Sequence, residues 1–67
     1  APYYYQLAKD RLRRYPEDMQ SYYYLGVSAE FIGKIEESYQ AFKSGYEKYN
    51  TDYYRTPMEF LKRKRRK

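Results

Sequence analysis

The sequence predicts an all-α chain of about four helices, arranged as antiparallel hairpins. Three observations predict it. Apolar residues recur at three- and four-residue steps over three long stretches, the spacing that places side chains on one face of a helix. Proline and glycine signals at Pro16, Gly33 and Pro57 punctuate those stretches. Only Gly33-Lys34 stands between the second and third stretches, so those two helices must be antiparallel neighbours.

The first helix is read from Pro2 to Tyr15, with Tyr4, Leu7, Ala8, Leu12 and Tyr15 on one stripe and Lys9, Asp10, Arg13 and Arg14 off it. Arg13 and Arg14 complement the helix dipole in the last turn. Pro16 then pushes Tyr15 out of helical geometry and ends the helix. The second helix is expected to start at Glu17 or Asp18, where acidic residues suit a helix N-terminus, and to run to Ile32. Met19, Tyr22, Leu25, Gly26, Ala29 and Ile32 form its inward stripe. Gly26, which costs about 1 kcal/mol against Ala in a helix interior, signals close approach of another helix. Gly33 is the C-terminal cap.

The third helix spans Ile35 to Tyr49, with Ser38, Tyr39, Phe42, Gly45 and Tyr46 inward and Glu36, Glu37, Gln40, Lys43, Glu47 and Lys48 outward. Asn50–Arg55 reads as a linker, with the third helix allowed to reach Tyr53-Tyr54. Thr56-Pro57-Met58-Glu59 reads as a capping box with Pro at the first helical position, which starts the fourth helix there. Six consecutive cations follow, and their mutual repulsion is expected to fray its last turn.

At 67 residues the chain holds one small domain with a thin core, burying roughly 60% of the surface that the unfolded chain exposes. Residues 1–61 form that domain and residues 62–67 a basic tail. With no Cys and no His, neither disulfides nor a thiolate or imidazole metal site can reinforce it. Self-association, a partner or a regular helical array remain. The same absences remove Cys nucleophiles, Ser-His dyads and imidazole acid/base chemistry, and the nine carboxylates follow no calcium-loop spacing. No catalytic activity, cofactor or metal is expected. Twelve tyrosines supply the bulk that four Leu and two Ile cannot; such rings suit half-buried positions, with the hydroxyl meeting water.

The net charge of +5 comes from the tail. Lys62, Arg63, Lys64, Arg65, Arg66 and Lys67 carry +6, and the first 61 residues carry −1. Any nucleic-acid or anionic-membrane contact must rest on that tail, as a salt-dependent electrostatic reading that lacks interleaved aromatics for base stacking. No apolar run is long enough to cross a bilayer, and the charged-then-apolar pattern of a signal peptide is missing. The chain opens on Ala1 without Met, which suits an excised fragment or processed chain.

The run Tyr22, Leu25-Gly26, Ala29, Gly33, Ser38, Tyr39, Phe42, Gly45 and Tyr46 resembles the tetratricopeptide repeat. That 34-residue motif carries an aromatic followed by Leu-Gly, here Tyr22-Tyr23-Tyr24-Leu25-Gly26, then a small–large alternation in its second helix. Pro16 and Asn50 stand one period apart, where successive repeats end. The best-matched repeat is Met19–Asn50, about half the chain. Ala29 stands where Tyr is usual, Ser38 where Ala is usual, and Arg11 where the preceding repeat would have a small residue.

What the resemblance implies is a non-catalytic scaffold that binds a partner protein or peptide, with homo-oligomerisation because one repeat cannot cover both its faces. The groove of such arrays is lined by the first helix of each repeat. Carried over, the partner-binding residues are Gln20, Tyr23, Tyr24, Val27 and Glu30. Tyr23 and Val27 replace the Lys, Arg and Asn of repeats that clamp a terminal carboxylate, so an apolar or amphipathic helix is the better-suited ligand. The alternative is that Tyr23 and Tyr24 pack against the terminal helices.

Overall fold

The computed structural model describes residues 2–65, and the fold is all-α, with four helices and no strand among those residues. They are α1 (Pro2–Arg14), α2 (Ser21–Phe31), α3 (Ile35–Tyr49) and α4 (Asp52–Arg65). Each packs chiefly on the next in the chain. Between α2 and α3, Ser38 and Phe42 meet Gly26. Across α3 and α4 the contacts run in opposite residue order, since Arg65 meets Glu36 at one end of α3 and Tyr54 meets Gly45 towards the other, so these two helices are antiparallel neighbours. The result is a slab with principal extents of 32 × 27 × 12 Å, so every helix keeps one side towards solvent.

The turn between α1 and α2 corrects the expected start of α2. Asp18 does not open the helix. Its carboxylate accepts the Gln20 N–H at 2.9 Å and the Arg11 guanidinium at 2.5 Å, and its carbonyl accepts the Ser21 N–H at 3.0 Å. An aspartate that bonds its own following backbone builds a turn instead of a first helical turn. Gln20 becomes the N-cap, and Met19 lies outside the helix, 40% exposed. At the other end, Gly33 has φ 85°. The Lys34 N–H reaches the Ala29 carbonyl at 2.8 Å and the Gly33 N–H the Glu30 carbonyl at 3.0 Å, which is the paired bonding of a Schellman cap.

The start of α4 also differs from expectation. Thr51, not Thr56, caps the helix: its carbonyl accepts Tyr54 and Arg55 N–H groups at 3.0 and 3.1 Å, and its hydroxyl the Tyr53 N–H at 3.3 Å. Asn50 turns the chain in left-handed geometry (φ 51°, ψ 51°), so Asn50-Thr51 alone link α3 to α4. Pro57 then lies inside the helix, at a cost of about 3 kcal/mol in a typical interior. The earlier start places Tyr53 and Tyr54 on helical turns that face α2 and α3, and Tyr54 is fully buried. That burial offsets the proline. α4 continues to Arg65, and the end of the basic run, Arg66 and Lys67, where fraying is expected, lies outside the described residues.

The core is a cluster of Tyr39, Phe42, Tyr54 and Leu61, with half-buried tyrosines around it. Two glycines admit it. A Cβ on Gly26 would stand 2.6 Å from the Phe42 ring, and one on Gly45 would stand 2.5 Å from the Tyr54 ring. Ser38 fits beside Gly26 because its hydroxyl donates to the Gly26 carbonyl at 2.6 Å, which satisfies a wholly buried polar side chain. The stripe expected on α1 is only half used. Tyr5 and Ala8 are buried against the rest of the protein, whereas Tyr4, Leu7 and Tyr15 are 63%, 47% and 58% exposed. α1 packs chiefly on α2 and reaches α3 through the hydroxyl of Tyr5, which donates to Glu37, too little to cover a stripe that wide.

Tyr54 ties three helices. Its hydroxyl donates to the Met19 carbonyl and accepts the Tyr23 N–H at 3.0 Å, supplying the cap that α2 lacks from its own N-terminal side chains. Burial is the main reason its pKa rises from 10.0 to about 12, against the lowering effect of the Tyr23 N–H. A raised acid pKa means that the fold favours the neutral phenol. The stabilisation is complete below pH 10 and is lost as pH climbs through about 12, amounting to on the order of 2 kcal/mol. Urea denaturation between pH 8 and pH 12 should show that loss, and a Tyr54→Phe protein should show much less of it above pH 10. Gly45→Ala should destabilise by about 1–3 kcal/mol in the same assay, because the pinned Tyr54 ring cannot move aside and overpacking outweighs the helix-propensity gain.

Candidate interaction surface

The residues singled out on α2 divide between two sides of the helix. Tyr23 is half-buried and belongs to the packing: its ring stacks on Tyr53 of α4 at 4.5 Å between centroids and meets Phe42 edge-on at 5.6 Å. Tyr24 faces α1, 43% exposed, with the Arg11 guanidinium 5.0 Å from its ring centroid and its hydroxyl donating to the Gln20 amide oxygen at 3.1 Å. Val27 is 44% exposed, and Glu30 sits 3.9 Å from Lys64 of α4.

Phe31 was not among the residues expected to bind a partner, yet it is 78% exposed, the barest large apolar side chain of α2. Its signal was present: Tyr24, Val27 and Phe31 follow at three- and four-residue steps on the side opposite the buried Ala29. On α4, Phe60 is 57% exposed. Lys64 joins the two phenylalanines, since it lines a shallow groove with Val27, Glu30 and Phe31, and its ammonium lies 5.8 Å from the Phe60 ring centroid. An apolar strip on α2 is thus joined to Phe60 of α4 through Lys64. A second groove runs between α1 and α2, with Tyr4 and Leu7 on one wall and Tyr24 and Ser28 on the other.

The basic stretch has two kinds of member. Lys64 and Arg65 turn back onto the fold. The Arg65 guanidinium grips Glu36 through two bonds of 2.7 and 3.1 Å and lies 4.4 Å from the Tyr39 ring centroid. Arg65 is the main cause that holds the Glu36 carboxyl below its ordinary pKa, with Gln40 adding to it. Lys62 and Arg63 are exposed and make no ion pair among the described residues. Arg66 and Lys67 lie outside the described residues. No group of three or more acidic side chains suited to a metal ion occurs among the described residues.

Because the carboxyl of Glu36 is depressed, its contribution is present above the ordinary carboxylate pKa and is lost as pH falls through the lowered value. Arg65→Gln should therefore lower the amide-exchange protection factors of the last turn of α4 at neutral pH, and acid should lower those of the wild type. Equal exchange in the two proteins at neutral pH would show that the clamp does not hold α4. The clamp closes the far end of α4 over Tyr39, so Phe60 stands on a helix held at both ends.

Family models, curated proteins and solved structures searched with this chain return no match.

Proposed function

We propose that this chain is a non-catalytic interaction module of tetratricopeptide type, which binds a partner protein or peptide along α2 and α4 and self-associates through the same apolar strip. One observation carries the reading. Val27 and Phe31 on α2 and Phe60 on α4 stay 44%, 78% and 57% exposed, with Lys64 reaching both helices' rings, although the chain has few large aliphatic residues to spare for its core. Contiguous exposed apolar area with a polar rim is the ordinary mark of a protein-binding face.

The repeat reading draws support from the buried small residues. Gly26, Ala29, Ser38 and Gly45 stand where close helix approach needs them, and Phe42 and Tyr54 fill the space they leave. Among the residues that the resemblance brought forward, Val27 and Glu30 line the proposed face, Gln20 and Tyr24 border its α1 side, and Tyr23 supports it from beneath. The alternative, nucleic acid or anionic membrane bound by the basic stretch 62–67, rests among the described residues on Lys62 and Arg63, since Lys64 and Arg65 are engaged with Glu30 and Glu36.

Sedimentation velocity at tens of micromolar should show a species larger than a monomer, and a Phe31→Ser/Phe60→Ser protein should sediment as a monomer. Peptides selected against the immobilised wild type should bind a Val27→Asp/Phe31→Ser protein at least about tenfold more weakly, a loss of about 1.4 kcal/mol. A wild-type monomer that selects no peptide, but binds an oligonucleotide or anionic vesicles through Lys62 and Arg63, would establish the alternative instead.

A further inference from the structure

We infer that the groove between α1 and α2 docks an amphipathic helix of a partner protein, one with acidic residues flanking its apolar stripe. The inference rests on the interaction-module reading and adds a second surface with its own ligand chemistry. The walls of the groove are apolar: Tyr4 and Leu7 from α1, 63% and 47% exposed, face Tyr24 and Ser28 from α2 across the small side chain of Ala8. The fold fills an equivalent cleft on its other side. There α4 lies along α3, with Tyr54 seated over Gly45 and Tyr53 stacked on Tyr23 of α2. A helix is thus what this scaffold accepts between two antiparallel helices. An extended peptide has nothing to pair with, because the described backbone holds no strand edge.

Charge complementarity selects the flanks. α1 carries Lys9, Arg11, Arg13 and Arg14 against Asp10 alone, a net of +3, with Arg13 and Arg14 sharing Asp10 and Lys9 over the Tyr5 ring. Arg11 is the one charged side chain that lines the groove. One of its terminal nitrogens holds Asp18 at 2.5 Å, its Nε–H is buried without an acceptor, and the side chain as a whole is 40% exposed. A carboxylate on the incoming helix would meet the exposed part of this guanidinium. Such a charge-assisted bond is short and directional, which fixes the register of the docked helix as well as attracting it. The Arg11 guanidinium also covers the Tyr24 ring, so the cation and the apolar wall form one recognition element.

The test uses three labelled synthetic helical peptides, each roughly four turns long and with the same Leu/Phe stripe, flanked by Glu, Gln or Lys. Fluorescence anisotropy with the full chain should give an affinity for the Glu peptide about tenfold above that for the Lys peptide, with the Gln peptide between them. Leu7→Glu should abolish binding of all three, and Arg11→Gln should bring the Glu and Gln peptides to equal affinity, with unchanged far-ultraviolet circular dichroism in both variants. Equal affinities for the three peptides on the wild type would overturn the inference. Binding lost in Val27→Asp/Phe31→Ser but kept in Leu7→Glu would overturn it too, while leaving the module reading intact. A dimer that Leu7→Glu dissolves, with no peptide bound, would assign the groove to a second copy of this chain.

Discussion

The Tyr54 side chain holds the structure together more than any other. Its ring occupies the space that Gly45 leaves on α3, stacks near Tyr49, and is walled by Phe42 and Tyr53. Its hydroxyl ends at the first turn of α2, taking the Tyr23 N–H that no local side chain caps and reaching the Met19 carbonyl beyond it. A phenol suits this place because the ring is worth a large burial and the hydroxyl settles two backbone groups that would otherwise be stranded. Phenylalanine would keep the first and forfeit the second. The proline inside α4, the left-handed Asn50 and the cap at Thr51 all serve to bring this one ring into position.

A fold 12 Å thick has no room for a second layer, and this shapes everything on its surface. Each helix can bury one face only, and a terminal helix such as α1 can bury less than that. The apolar side chains that exceed the buried face must stand in water, in rows set by the helical period. Those rows are Tyr4 and Leu7 on α1 and Tyr24, Val27 and Phe31 on α2. Surface of this kind is an unfinished core, and under the proposed function a helix from another protein would complete it by the same packing that joins α4 to α3.

Charge works at the edges of this scheme. Asp18 with Arg11, Asp10 with Arg14, and Glu36 with Arg65 pair across turns and helix ends, mostly in solvent, where each pair contributes little alone. Their value is placement. Arg65 brings the last turn of α4 onto α3, and Lys64 sets an ammonium between Phe31 and Phe60. Among its described residues, a basic stretch that reads as an undivided tail is in this way split into two side chains spent on the fold and two, Lys62 and Arg63, left on the surface.

By itself the sequence determined the helical class, the number of helices, the hairpin at Gly33 and the inward face of α3. These depend on local chemistry: apolar spacing, the left-handed freedom of glycine, and the small residues at Gly26 and Gly45. It also marked Val27 and Glu30 as surface residues of α2. Tertiary structure alone decided the rest. Thr51-Asp52 and Thr56-Pro57 are both sound helix starts, and only the burial of Tyr54 against Gly45 favours the earlier one. Asp18 can open a helix or close a turn, and Arg11, seven residues away, draws it to the turn. Tyr23 and Tyr24 are identical in chemistry, yet one packs beneath α4 and the other borders the groove beside α1. A helix rotates by about 100° per residue, so adjacent tyrosines face different neighbours, and which neighbours exist is known only once the chain has folded.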